Sequence, residues 1–379
     1  MDLADVAVVD NHCHAVQRTP GRWDVAGWRA MFSESPDHRM RTETVTDTVF
    51  YQRLIGEMAR YHGVYADEES VLGARAVLGD AELTERLFAD AGIGALVVDT
   101  GYPDASVALP LEQMGAGRQV AALLRLELMF QELVGQAESY DDLLDAVREQ
   151  LLDVRGAGWA GFKSIAGYRT GLAIRRWSRD EAGRSFDQAR REVSSTGSVR
   201  LGHKPLLDTL LHVAFEAAAA QELPVQFHVG YGDPDADLRD AHPLLLRDLF
   251  EEPAYRAMPI VLLHGCWPFV REGAYLAAVY ANAHLDLSYA IPFLSRREMR
   301  SMTRAALGAA PTSKLMYSSD GARVPELHWL GARDGRRQLG EALGDLVNDG
   351  DLTPAQARRA GEQVLRDNAR TLYGLGGAA

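Results

Sequence analysis

The residues that could do chemistry stand out by position before any fold is assumed. Asp10-Asn11-His12-Cys13-His14 follows directly on an apolar run at 6–9. In an extended strand, residues i and i+2 point to one side, so His12 and His14 can offer two imidazoles to one point. Standing alone, such a pair is more often a surface turn than a metal site. Here it has company. His228 follows the run 224–227, His264 follows 260–263, and Asp320 follows 316–319. Imidazoles and a carboxylate recurring at the ends of short apolar runs suit Zn²⁺, with Mn²⁺ and Fe²⁺ as alternatives.

Those positions need elements that deliver them to one place. Eight short apolar runs are visible, at 6–9, 95–98, 121–126, 161–165, 225–227, 260–263, 285–287 and 314–317. Helix-like sequence separates them, which is the pattern of repeated βα units. Eight units predict an α/β fold closed as a (β/α)₈ TIM barrel, with the site at the C-terminal mouth. Spacing alone also admits an open doubly wound sheet. Two gaps exceed a plain crossover. The first, about 15–91, carries Trp23, Trp28, Phe32, Tyr51 and Tyr61 and reads as a helical insertion after strand 1. The second, about 166–205, is an Arg-rich insertion after strand 4 with Arg169, Arg175, Arg176, Arg179, Arg184, Arg190 and Arg191. No repeat or low-complexity linker divides the chain, so 1–379 reads as a single barrel with insertions and a frayed tail at 374–379.

The order HxH, Lys163, His228, His264, Asp320 resembles the amidohydrolase superfamily, of the amidohydrolase 2 type. More narrowly, Gly161-Phe162-Lys163-Ser164-Ile165-Ala166-Gly167-Tyr168-Arg169-Thr170-Gly171-Leu172 resembles the amidohydrolase module of nodulin/glutamine-synthetase-like fusion proteins. His228-Val229-Gly230-Tyr231-Gly232-Asp233, Leu263-His264-Gly265-Cys266-Trp267-Pro268-Phe269 and Ser319-Asp320-Gly321-Ala322 carry the same likeness. It covers nearly the whole chain and departs in one respect, since no ligase half follows the barrel.

The resemblance implies that His12, His14, His228 and Asp320 bind a divalent ion and leave a position for water, whose pKa the ion lowers. Asp320 would take that water's proton. His264 would be a second-metal ligand or an acid/base and oxyanion-stabilising group. Lys163 separates the two forms. Binuclear relatives bridge their metals with a carbamylated lysine on the fourth strand, whereas a plain ammonium attracts a substrate carboxylate and repels a second cation. The reading adopted is an unmodified Lys163 and one ion, most simply Zn²⁺. Arg169, six residues on, could pair bidentately with the same carboxylate, and Tyr168 and Tyr231 are candidate pocket residues.

Other candidates carry less. Cys13 lies between two ligands, so alternation turns it away from the metal. Cys266 could look into the site, although no Cys–His–acid pattern supports a thiolate. Gly331-Ala332-Arg333 near a helix start is a weak phosphate motif. His38, His62, His203, His212, His242, His284 and His328 lack strand-end context and read as structural, His328 being the one closest in sequence to Asp320.

Composition bounds the function. The 379 residues are 47% hydrophobic and 25% charged, an ordinary globular mixture. With 40 basic and 53 acidic residues the net charge is −13, so neither nucleic acid nor an anionic membrane is an expected partner. No apolar run reaches the roughly 18 residues of a membrane span. The start MDLADVAVVDNHCH lacks a basic leader, and two cysteines make no disulfide framework, which fits the cytoplasm. The function that the resemblance implies is metal-dependent hydrolysis of an amide in a small carboxylate-bearing substrate, such as a γ-glutamyl amide. The alternatives are a nonoxidative metal-dependent decarboxylase of the same superfamily and a noncatalytic barrel; a homo-oligomer is left open.

Overall fold

Each apolar run becomes a strand. In the computed structural model, which describes residues 1–19 and 23–376, the strands are β1 (Val8–His14), β2 (Ile93–Asp99), β3 (Gln119–Arg125) and β4 (Trp159–Ser164). They continue as β5 (Val225–Phe227), β6 (Ile260–Leu262), β7 (Ala283–Ser288) and β8 (Leu315–Ser318). Neighbours in sequence are neighbours in the sheet, and every pair from β1–β2 to β7–β8 is parallel. The seam between the first and last strands closes just beyond β8. There the Asp320 amide donates to His12 O at 3.0 Å and the His14 amide to Gly321 O at 2.8 Å. This is a (β/α)₈ TIM barrel.

Parallel strands covered on both faces read as continuous apolar runs, and alternation sorts their side chains. Leu96, Val98, Phe162, Val225, Phe227, Leu262, Leu285 and Leu287 turn outward into the core beneath the helices. Val9, Ala95, Val97, Ala121, Leu123, Val261, Leu263 and Met316 fill the interior. Ala369 and Tyr373, from the helix Asn368–Tyr373, join that interior cluster and plug it from below. Two residues further along β2 and β3, the inward positions after Val97 and Leu123 are Asp99 and Arg125. The interior thus changes from apolar to charged toward the mouth.

Between β1 and β2 the chain forms the helices Val49–His62 and Glu68–Arg75 before Asp80–Asp90 leads back to the barrel. Their starts are capped by side chains, Thr48 accepting from the Tyr51 amide and Asp67 from the Ser70 amide. A buried bond from Arg75 Nε to Glu326 Oε1, 2.6 Å long, ties this segment to the helix Pro325–Asn348. Between β4 and β5, the helix Arg179–Thr196 starts in a Ser178/Glu181 capping box and precedes Lys204–Ala220. Two of its arginines serve structure: Arg179 pairs with Asp141, and Arg190 donates to the carbonyls of Val134 and Gly135.

Three expectations are corrected. Gly331-Ala332-Arg333 lies inside the helix Pro325–Asn348 rather than at its start, with Arg333 paired to Asp90, so it presents no free amides to a phosphate. Cys266 faces away from the mouth, because a Cβ on Gly273 would sit 2.6 Å from its Sγ. The described part of the tail is tied down by Leu375 N to Arg370 O at 3.0 Å and Arg370 Nη1 to Gly376 O at 2.9 Å; 377–379 lie outside the described residues.

The seam has its own lock. Ser319 donates its amide to Asp10 Oδ1 at 2.8 Å and its hydroxyl to Asp10 Oδ2 at 2.5 Å, all buried. Burial pushes the Asp10 carboxyl up to about 8, against the pull of the Ser319 bonds. Ser319→Ala leaves a buried carboxyl short of one donor and should cost about 1–3 kcal/mol. Urea unfolding would read this as a lower midpoint at unchanged m-value.

Candidate active site and metal centre

The strand-end residues meet at the mouth, with Asp320 at their centre. His12 Nε2 and His14 Nε2 lie 3.5 and 3.6 Å from Asp320 Oδ1. His264 Nδ1 is 3.2 Å from Oδ2, and the Tyr231 hydroxyl donates to Oδ2 at 2.6 Å. His228 stands one step back, its Nδ1 3.0 Å from His264 Nε2 and its Nε2 2.6 Å from the Tyr231 carbonyl. Lys163, buried at the end of β4, brings Nζ to 3.4 Å from His12 Nε2.

Local backbone aims these groups. His264 and Asp320 adopt φ of +62° and +57°, a left-handed conformation that side chains other than glycine rarely take. Such residues persist only where their surroundings over-determine them. The His264 amide donates to Asp286 Oδ1 at 2.9 Å, and Asp286 also accepts from Asn11 Nδ2 and the Ser288 hydroxyl. Asp320 is held by its amide bond to His12 O. His328, buried below, places Nε2 3.0 Å from His14 O and braces the HxH strand from outside the cavity.

Electrostatics prepares the set for a cation. Burial pushes His12 down to about 3, with Lys163 adding to the shift, and it drives His228 and His264 well below the usual imidazole range. Burial alone would raise the Asp320 carboxyl, but His264, His12 and His14 together hold it well below the ordinary value. Lys163 falls to about 8, chiefly through burial. Neutral imidazoles beside an ionised carboxylate are the protonation states that metal binding requires. Two groups bring their ligand atoms within 4.8 Å of one another: His12, His14 and Asp99, and His12, His264 and Asp320. Among the described residues, Nδ1 of both His12 and His14 is buried without a hydrogen bond. The donor set fits a divalent ion. His228 belongs to neither group as arranged.

The cavity above the cluster has a volume of about 320 Å³, and its lining includes Lys163, Tyr168, Arg169, Tyr231 and His264. Tyr168 packs on the His228 ring at 4.2 Å between centroids, while Phe293 stands edge-on to Tyr231 at 5.3 Å and contacts Trp267 at 5.3 Å. Every residue singled out in the sequence for substrate contact reaches this space. Sequence reasoning missed Asp99 and Arg125, which end β2 and β3, and Glu34, Arg200 and Arg323, which reach the cavity from the connections. The strand-end signal that picked out His228 applies equally to Asp99 and Arg125.

Comparison with known proteins places the chain. The family model described as amidohydrolase matches residues 176–375, and the chain belongs to that family. The chain is 35% identical over 222 residues to protein fluG of Emericella nidulans, covering 57% of this chain and 25% of that protein. It therefore spans about a quarter of the length of this curated relative. Among solved structures, one from Lactobacillus casei, described only as a candidate metal-dependent hydrolase, superposes with a TM-score of 0.87 at 26% identity. That match covers 98% of this chain and 97% of the other, so it includes the HxH half that the family match leaves out. A uronate isomerase from Thermotoga maritima shares the fold, with a TM-score of 0.70 at 13% identity over 98% and 95% of the two chains.

Tyr231→Phe deletes only the hydroxyl that steadies Asp320. Outer partners of metal ligands typically tune affinity ten- to a hundredfold. A weakening of divalent-ion binding by about tenfold is expected, read by competition with a chromogenic chelator. Unaltered affinity would mean that Asp320 is positioned without Tyr231.

Proposed function

We propose that the protein is a metal-dependent hydrolase that opens an amide bond in a small carboxylate-bearing substrate, a γ-glutamyl amide being the reading preferred. The observation that carries it is the convergence of His12, His14 and His264 on the Asp320 carboxylate. The reading takes residues 1–379 as one barrel acting on a small molecule, with one Zn²⁺ ion held by His12, His14, His228 and Asp320. His264 is the competing fourth ligand, since its ring lies nearer Asp320 than that of His228. The two cysteines are buried and free, which suits the cytoplasm, and no described helix is long and apolar enough to cross a membrane.

A bound divalent ion would supply Lewis acidity, activating water and polarising the substrate carbonyl at neutral pH. The protein's own groups do the rest. Asp320, kept ionised, accepts the proton of the attacking water at a carboxylate oxygen. His264, whose Nδ1 faces that carboxylate, can relay the proton toward the departing nitrogen and hydrogen-bond the developing oxyanion. Tyr231 fixes the orientation of Asp320. Lys163 and Arg169 hold the substrate carboxylate, and Arg169 is suited to this because its Nε is buried with no partner among the described residues.

His12→Ala should lose bound metal and activity together, and full activity after exhaustive chelation in metal-free buffer would sink the proposal. Metal content of His228→Ala against His264→Ala decides the fourth ligand. Assaying γ-glutamyl amides for released amine and glutamate, and aromatic acids for CO₂, separates hydrolysis from decarboxylation. Lys163→Ala tests the lysine. With a substrate-binding ammonium the metal count stays at one and kcat/KM for carboxylate substrates falls; a fall from two ions to one would reveal a carbamate bridge instead.

A further inference from the structure

Arg125 closes β3 and pairs in register with Lys163 of β4, so the two cations stand side by side on the cavity wall. Arg125 is held there unusually firmly. Its Nε lies 3.1 Å from both oxygens of Asp99, and Nη2 donates to Oδ2 at 2.5 Å. Asp99 is fully buried, while the Arg125 side chain keeps 13% of its surface open to the cavity it lines. A guanidinium has two edges that can each take a carboxylate. Asp99 occupies the Nε edge, and Nη1 makes no hydrogen bond among the described residues.

Gly101 shows that room has been made for this arrangement. A Cβ there would collide with Cδ and Nε of Arg125 and lie 2.9 Å from its Cβ. Gly101 does not have a positive φ, so its backbone conformation does not require glycine; the space for Arg125 does. Its amide also donates to Asp99 Oδ1 at 3.0 Å. Arg169 lines the same cavity with its buried, unpartnered Nε. Three cations, Arg125, Lys163 and Arg169, therefore share this wall, with Asp99 paired to Arg125 and the buried Glu127 carboxyl bonded to the Ser164 hydroxyl behind it.

We infer that Arg125, fixed by Asp99 and accommodated by Gly101, is the specificity-determining anchor of a carboxylate subsite on the β3–β4 wall, with Lys163 and Arg169 completing it. The ligand class is a compact aliphatic carboxylate, the acid end of a half-amide of a dicarboxylic or α-amino acid. Asp99 orients the guanidinium so that its Nη1–Nη2 edge meets the ligand without a search through rotamers. This deepens the proposed function and rests on its carboxylate-bearing substrate.

The test is calorimetric titration of the metal-loaded chain with glutarate, using neutral glutaramide as the control. Wild type should bind glutarate. Arg125→Ala should bind it at least about tenfold more weakly, the loss expected for a buried charge-assisted bond. Arg125→Lys should recover only part, because an ammonium cannot reproduce the planar two-pronged contact. Gly101→Ala, which keeps the guanidinium but displaces it, should weaken binding about fivefold or more. Because Asp99 also stands in a candidate ligand group, every variant is titrated at equal metal loading checked by metal analysis, and glutaramide should not distinguish them. Should Arg125→Ala fail to fold, Arg125→Lys and Gly101→Ala decide by the same measurement. Glutarate affinity within twofold of wild type in the variants, or no glutarate binding by wild type, overturns the inference. Arg125-dependent glutarate binding by a chain that hydrolyses no γ-glutamyl amide would overturn the amide reading and leave the subsite standing.

Discussion

The structure depends on the seam where the last strand meets the first. Asp320 and the HxH pair lie about three hundred residues apart in the chain, yet their geometry is set by local bonds across one junction. The Asp10 carboxyl takes the amide and hydroxyl of Ser319, the Asp320 amide meets His12 O, and the His14 amide meets Gly321 O. These bonds set the left-handed turn at Asp320 and point its carboxylate back over the strand that carries His12 and His14. Barrel closure and site assembly are one event. A chain that formed every pair from β1–β2 to β7–β8 but left the seam open would have its imidazoles without their carboxylate.

Burial supplies the second half of the arrangement. A charged imidazole is costly in a buried barrel mouth, so His12, His228 and His264 stay neutral while Asp320, fed by hydrogen bonds and ring nitrogens, stays ionised. Lys163 is the counterweight. Its ammonium, sunk beside His12, loses affinity for its proton but keeps Asp99 and Asp320 as partners at a distance. Asp286 plays a different part. It is pushed up to about 6 by burial, and its contacts go to backbone and hydroxyls that hold His264.

Much of this was legible in the sequence because barrel strands carry two signals at once. Their apolar runs gave all eight strands near their observed places, and the polar residue at the end of each run marked the mouth. His12, His14, His228, His264 and Asp320 were found in this way and do gather. Their mutual ranking was not legible. That His264 faces Asp320 while His228 turns to the Tyr231 carbonyl depends on ring rotations and a left-handed backbone, neither of which leaves a trace in residue type. Asp99 and Arg125 were passed over for a different reason. An acid and an arginine at strand ends look like ordinary solvated charges until their pairing is seen. Gly101 is more hidden still, since a glycine needed for the space of a neighbour looks the same as one needed for a turn. The cavity residues Glu34 and Arg323 come from connections whose paths no periodicity fixes.

The cavity's walls differ in chemistry, and this constrains how anything bound there must lie. On the β3–β4 side stand Arg125 and Lys163, with Arg169 following β4. On the side that follows β5 and β7 stand Tyr231, Ala290 and Pro292, with Trp267 and Phe293 in edge-on contact with Tyr231 beyond the cavity. Asp320 and His264 lie between. A guanidinium wall rewards a carboxylate, because a buried cation without a partner is costly. An apolar side rewards surface removed from water. On the proposed reading, a half-amide placed acid-first against the cations sets its amide carbon near the Asp320 carboxylate and its amine portion toward Tyr231 and Pro292. The reversed orientation would strand the carboxylate on the apolar side and leave Arg169 unpaired. Selection of orientation then comes from the difference between the walls, without any single group having to grip the scissile bond.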